Sequence, residues 1–364
     1  MTANERLVTK NIAVKIGSNV LTRSDGTLDV TRMSAITDQI AYLHKLGVKI
    51  ILISSGAVAS GRSVLKSSKK LDVVEQRQLF STVGQAKLIN HYWELFREHN
   101  MVVGQVLTTK TNFEGRNQYL NQRNCIRVML ENGVVPIVNE NDAVSVSELM
   151  FTDNDELSGM VASMMGMEAL IILSNIDGIY NGSPAEETSE VISEIKKGQY
   201  LSDFIQHSKS TFGRGGMQTK VTIARKIADE GIEVYIANGR KENILIDLLN
   251  RKKNVLSTHF IAEKTEVSSI KKWIAHSDGF AKGEIIINEN AARALTGTNA
   301  VSLLPVGIIN ISGRFEKDDI VKICDEKGKY IGVGKVRYSS EKATLLIGKK
   351  NQKPLIHYDY LHLE

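Results

Sequence analysis

The chain has 364 residues, 42% of them apolar and 24% charged, with a formal net charge of +5. That length suits about two or three globular domains, and so small a charge excess gives no electrostatic reason to invoke nucleic acid or an acidic membrane surface. Cys125 and Cys324 match no metal spacing and no disulfide framework, the start of the chain has no apolar signal core, and no apolar stretch reaches the roughly 18 residues of a membrane span, so the expectation is a cytoplasmic protein without a membrane segment.

In chain order, apolar and largely β-branched runs predict strands at Ile12–Ile16, Ile50–Ser54, Val102–Leu107, Val134–Val138, Leu170–Leu173 and Val234–Ala237. Most are continuously apolar, as strands buried on both faces are. Between them lie helical patterns. Met33, Ile36, Ile40, Leu43 and Leu46 share one face, with Gly47 as the stop. Further helices are predicted over Gln78–Glu98, Asn117–Asn132, Asp155–Met165 and Gly216–Glu230. This alternation implies an α/β fold, a mainly parallel open sheet with helices on both faces. Ser67–Lys70 and Gly182–Thr188 read as surface loops. After about residue 260 the pattern changes. A charged segment gives way to short strands at Glu284–Asn288, Gly307–Ile311, Asp319–Cys324, Tyr330–Lys335 and Ala343–Ile347, with a turn at Lys327–Lys329 and one short helix at Glu289–Leu295. This predicts a small, mostly β domain of barrel type. The expected division is 1–262 for the α/β domain, 263–275 for a linker and 276–364 for the β domain.

The chemistry gathers where strands end. Lys15-Ile16-Gly17-Ser18 closes the first strand. A cation there is costly to bury unless an anion meets it, and the small residues beside it let a ligand approach the backbone. In open α/β sheets the carboxyl edge of the strands is where ligands bind. Gly213–Lys220 places three glycines ahead of a helix, with Lys220 in its first turns. Bare backbone N–H groups at such a start attract phosphate, although the glycine and lysine spacing is not that of a P-loop. Asp153-Asn154-Asp155 opens another helix; capping explains one of the three residues more readily than all three. Two carboxylates near two lysines would hold those lysines in place or help position Mg²⁺. Asn139-Glu140-Asn141-Asp142 suits a polar turn, and equally the recognition of an amino group by Asp142 with help from Asn139. Ser55-Gly56-Ala57 would offer a hydroxyl and N–H groups to a carboxylate. The eight histidines form no close ligand pair, so no protein metal site is expected.

Taken in order, Lys15–Ser18, Ser54–Ala57, Gly84-Gln85, Asn139–Val144, Asp153–Asp155 and Gly215–Lys220 resemble the amino acid kinase family, in the branch that phosphorylates the γ-carboxylate of glutamate. Gly283-Glu284-Ile285, Ser302–Pro305 and Gly307-Ile308 resemble a PUA domain. The resemblance implies ATP and Mg²⁺ as cofactors and L-glutamate as substrate, in the first step toward proline. It implies a homo-oligomer, a dimer or tetramer, and allows for feedback inhibition by proline. By the same resemblance Lys15, Lys220 and Asp155 are catalytic, with Asp155 orienting the lysines. Ser55, Asn139, Asp142 and Asn154 bind glutamate. Lys15, Ser174, Asn175, Gly215, Gly216, Met217 and Lys220 bind ATP. One departure stands out: Ser174-Asn175 replaces the Thr-Asp of the family, keeping a hydroxyl and removing a charge.

The alternatives are a relative acting on acetylglutamate, aspartate or a nucleoside monophosphate, and an RNA-binding or RNA-modifying protein working through the C-terminal domain. The Asn139–Asp142 turn favours a free amino group over acetylglutamate or a nucleotide. From His276 to Glu364 there are thirteen Lys and Arg against eleven Asp and Glu, a thin footprint for RNA.

Overall fold

A computed structural model describes residues 9–65, 70–144, 151, 153–182, 188–199, 216–250, 255–262, 274, 281–297 and 301–363. Two compact units are present, one of Met1–Asn112 with Leu120–Thr265 and the other of Phe113–Tyr119 with Glu266–Glu364. Of the loops expected at Ser67–Lys70 and Gly182–Thr188, residues 67–69 and 183–187 lie outside the described residues, as do residues 213–215 and the linker at 263–275 apart from Ile274.

The first unit is an eight-stranded sheet. Its strands are β1 (Asn11–Ile16), β2 (Lys49–Ser54), β3 (Val102–Thr108), β4 (Val134–Glu140), β5 (Ala169–Ser174), β6 (Glu194–Ile195), β7 (Glu233–Asn238) and β8 (Ser257–Phe260), in the order β3-β4-β2-β1-β5-β7-β8-β6. Every pairing is parallel except β7 with β8. The described helices are α1 (Ser18–Leu21), α2 (Val30–Lys45), α3 (Ala57–Arg62), α4 (Val73–Arg97), α5 (Thr111–Glu114), α6 (Arg116–Glu131), α7 (Asn154–Met165), α8 (Met217–Asp229) and α9 (Ile244–Leu249). Ile12, Val14 and Ile16 of β1 join Met33, Ile36 and Ile40 of α2 and Leu88, Tyr92 and Phe96 of α4 in one core. The helices α7 and α8 pack together, where Gly159 lies so close to Ile223 that a Cβ would fall 2.9 Å from its methyl group.

The six expected strands of this unit all form, and β1, β2, β4 and β5 are buried almost throughout because helices cover them. The edge strand β3 is half exposed. Helix α4 begins five residues before its predicted start. A capping box sets that boundary: the Asp72 carboxylate accepts from the Glu75 amide at 2.8 Å, and the Glu75 side chain accepts from the Asp72 amide at 2.9 Å. Leu46 is a correction. It falls at the C-cap of α2 and is 50% exposed, while Gly47, at φ +85°, makes the expected stop.

The second unit has β9 (Gly283–Ile287), β10 (Ile308–Gly313), β11 (Ile320–Asp325), β12 (Tyr330–Lys335) and β13 (Leu361–Leu363), in the order β10-β9-β11-β12-β13, with helices α10 (Glu289–Leu295) and α11 (Ser340–Leu346). Its own core includes Ile285, Ile287, Phe315, Val321, Ile323 and Leu355. Helix α11 corrects the strand expected at Ala343–Ile347. It follows Ser339 as N-cap, Leu345 points to solvent at 72% exposure, and Gly348 at φ +72° ends the segment.

Parallel register carries the C-terminal ends of β1, β2, β4, β5 and β7 to one edge. Ile16 pairs with Ser54 and with Leu173, and Ser174 with Asn238. Beyond the strands the ladder persists: the Gly17 amide donates to Leu173 O at 2.9 Å and the Gly239 amide to Ser174 O at 2.8 Å.

Candidate active site

Lys15 comes to this edge from β1 with 5% of its surface exposed. Its Nζ lies 2.5 Å from Asp155 Oδ1, and Lys220 Nζ, from the first turn of α8, lies 2.8 Å from Asp155 Oδ2. One fully buried carboxylate therefore holds two ammonium groups from residues 205 positions apart in sequence. Burial on its own would raise the Asp155 pKa; the two lysines outweigh it and bring it down to about 2. Asp153 has the opposite fate. Its Oδ1 caps α7, accepting from the Asp155 and Glu156 amides at 2.9 and 3.1 Å. Among the described residues its buried Oδ2 has no hydrogen-bond partner. Burial, followed by the Asp155 charge, pushes the Asp153 carboxyl up to about 6.

Asn154 lies between these two residues and faces a second cluster. Its Nδ2 donates to Ser54 O at 3.2 Å, Ser55 Oγ at 3.0 Å and Asn139 Oδ1 at 3.0 Å. Asn139 Nδ2 donates to Gln85 Oε1 at 2.8 Å. Ser55, Asn139 and Asn154, three of the four expected substrate residues, are thus in direct contact. Asp142 is paired instead with Arg77, whose Nε lies 2.5 Å from its Oδ1, while an Arg77 terminal nitrogen lies 2.6 Å from Glu140 Oε2. Arg77 is absent from the sequence-derived set. Nothing local marks it: it is one polar residue near the start of a long helix, 65 positions from Asp142.

The remaining expected residues lie at the other end of the edge. Ser174 is buried at the end of β5 and Asn175 is exposed beside it. A charge absent at Asn175 is present two residues later, where Asp177 accepts from Asn238 Nδ2 at 2.9 Å and from Lys241 Nζ at 3.0 Å. Gly216 is the N-cap of α8, makes no side-chain cap, and has no described residue within 4 Å of where a Cβ would stand. Met217 is the first residue of that helix. Gly215 lies outside the described residues.

This arrangement suits a phosphorylated anion. The 13-residue helix α8 starts at a glycine that offers no side-chain cap, Lys220 stands in its first turn, and Lys15 reaches the same carboxylate. Gly17 keeps the approach tight, since a Cβ there would sit 3.1 Å from Leu173 O and 3.6 Å from Lys15 Nζ. Among the described residues, no three His, Cys, Asp or Glu side chains converge as a metal cage.

The chain matches the model of the amino acid kinase family over residues 10–238 and that of the PUA domain over residues 283–358. It is 67% identical over 353 residues to a glutamate 5-kinase of Bacteroides thetaiotaomicron, an alignment covering 97% of this chain and 98% of that protein. It is 47% identical over 363 residues to a glutamate 5-kinase of Chlorobaculum tepidum, covering 99% of each. Among solved structures, a carbamate kinase from Giardia lamblia bound to AMP-PNP aligns with a TM-score of 0.50 at 17% identity, over 70% of this chain and 99% of that one, a likeness of fold alone.

Proposed function

Since the chain belongs to the amino acid kinase family and carries a PUA domain, we propose that it phosphorylates the γ-carboxylate of L-glutamate with ATP, giving L-glutamyl 5-phosphate in the first step of proline biosynthesis. One observation carries the reading from geometry. Asn154 and Asp155 are consecutive at the start of α7, the first bonded to the Ser55 and Asn139 turns and the second to both lysines. A small amino acid held by the first cluster has its far end directed toward the second.

A γ-carboxylate has an ordinary pKa near 4.3, so it is an anionic nucleophile at neutral pH and needs no general base. ATP supplies the phosphoryl group. The chain's own residues then have two tasks. Ser55, Asn139, Asp142 and Asn154 orient the amino acid, with Asp142 taking its α-ammonium group. Lys15, Lys220 and the start of α8 gather positive charge where two anions must approach, and Asp155 fixes the two ammonium groups in advance of binding. Ser174, Asn175, Gly215, Gly216 and Met217 would line the nucleotide side. Mg²⁺ would supply further positive charge at this site, with little help from protein ligands among the described residues. Asp155 is already engaged by two lysines, and Asp153 Oδ2 is the buried carboxylate oxygen left to meet it. Among the described residues no helix is long and apolar enough to cross a membrane. A cytoplasmic homo-oligomer, a dimer or tetramer open to proline feedback, with domains at 1–262 and 276–364 joined by 263–275, completes the proposal.

The test is ADP release measured with L-glutamate, L-aspartate, N-acetylglutamate and UMP, with hydroxylamine added to trap an acyl phosphate as the hydroxamate. L-Glutamate should be strongly preferred and should give the hydroxamate. Faster turnover of N-acetylglutamate or UMP would overturn the assignment.

A further inference from the structure

The end of β4 and the turn after it carry two acidic side chains, Glu140 and Asp142, 3% and 7% exposed. Carboxylates two residues apart repel, and a buried charge is costly unless paired. Arg77 meets both, at 2.6 Å from Glu140 Oε2 and 2.5 Å from Asp142 Oδ1. The other Glu140 oxygen accepts from the Phe151 amide at 3.1 Å, which anchors one arm of the bridge to the backbone. Arg77 and Gln85 stand eight residues apart on α4, a spacing that puts both on one side of a helix. Gln85 takes Asn139 and Arg77 takes Asp142, so one helix grips both ends of the Asn139–Asp142 turn. A guanidinium does this as a rigid planar fork; an ammonium group neutralises one carboxylate without spanning two.

We propose that Arg77 is a positioning residue for the amino acid substrate: by bridging Glu140 and Asp142 it fixes the Asp142 carboxylate where it receives the substrate's α-ammonium group. The inference rests on the reading above that Asp142 binds that group. The bridge does not consume the acceptor, because an ionised carboxylate offers about four lone-pair sites. It also predicts a restricted effect. The γ-carboxylate end of the substrate is set by Lys15 and Lys220, which Asp155 holds and the Arg77 bridge does not include, so the loss should fall on recognition of the amino group.

Glutarate separates the two ends, since it is the same dicarboxylate without the α-amino group. Calorimetry on the full chain would measure the affinities of L-glutamate and glutarate for the wild type, Arg77→Met, Arg77→Lys, Asp142→Asn and the double variant Arg77→Met/Asp142→Asn. Arg77→Met should cut the preference for glutamate over glutarate by about tenfold or more while moving glutarate affinity less than about twofold, and Arg77→Lys should restore part of it. The double variant should match Asp142→Asn alone within about twofold, because both substitutions remove one device. Equal losses for the two ligands in Arg77→Met would make Arg77 merely structural and overturn the proposal. A preference intact in Arg77→Met but abolished in Asp142→Asn would overturn it too, leaving the role of Asp142 standing. A preference intact in Asp142→Asn would overturn the reading of Asp142 itself, and this proposal with it. If Arg77→Met is unfolded by circular dichroism, Arg77→Lys and Glu140→Gln carry the test; an unchanged preference in both overturns it.

Discussion

Burial works against an ionised Asp155, and only the paired charges of Lys15 and Lys220 hold its pKa near 2. Removing either cation should slow turnover by about 100- to 1000-fold, the usual loss when a group aimed at developing charge is deleted, and steady-state kinetics on Lys15→Ala and Lys220→Ala would check it. Near-normal turnover in a folded Lys15→Ala protein would contradict the mechanism. Asp155→Asn removes the carboxylate shared by the buried Lys15 and the partly buried Lys220 and should lower stability by about 3–5 kcal/mol in urea melts. The two acidic neighbours have opposite pH signs. Asp155, with its pKa lowered from 3.8, stabilises the fold at neutral pH, and that contribution fades as pH falls through about 2. Asp153, raised from 3.8 to about 6, makes the folded state less stable as pH rises through that interval. Asp153→Asn keeps an acceptor for the α7 amides and loses the charge. Its melting temperature relative to wild type should therefore improve by a few degrees between pH 4.5 and pH 7.5, and an unchanged gap would refute the assignment. At this scale the sequence announces polar residues at the end of an apolar strand, such as Lys15 and Asn139. Arg77 is silent because only the packing of α4 brings it to Asp142.

Helices α3 and α4 meet through glycines. A Cβ on Gly84 would fall 1.8 Å from Ala57 O and 2.3 Å from Gly61 N, and one on Gly61 would fall 1.9 Å from Phe80 O. No rotamer change relieves a clash with backbone, so Gly84→Ala must push α4 outward. The expected cost is about 1–3 kcal/mol by urea unfolding, together with a higher glutamate KM, because Gln85 is the next residue along. An unchanged KM would mean that α4 does not hold the substrate turn. Elements were legible where length and periodicity agreed, as in α2 and the buried parallel strands. They were misread where a short apolar run fits either state. Ala343–Ile347 looks like a strand, but a helix starts after Ser339 and much of it faces solvent. The strands β6 and β8, two and four residues long, are too short to give a period.

Across the whole molecule the two units have separate apolar cores, one around β1 and one around Ile285, Val321 and Leu355. A fragment spanning 276–364 should therefore unfold cooperatively by itself in a thermal melt followed by circular dichroism; a featureless melt would show that its core is not self-sufficient. The division into an α/β part and a β part was legible from the change in pattern near residue 260, whereas the order of strands was not, since order is fixed by which helices cover which face. That order has a consequence for the protein while it is being made. The first strand in sequence, β1, is a central strand, between β2 and β5. Its second partner ends at Ser174, 158 residues after Ile16. At a synthesis rate of about 5–20 residues per second, one apolar edge of β1 waits about 8–30 s for its neighbour. Nascent chains that stall between β2 and β5 would carry that open edge, the kind of surface on which chains pair with one another, so translational pausing in this interval is where the protein is most exposed to aggregation.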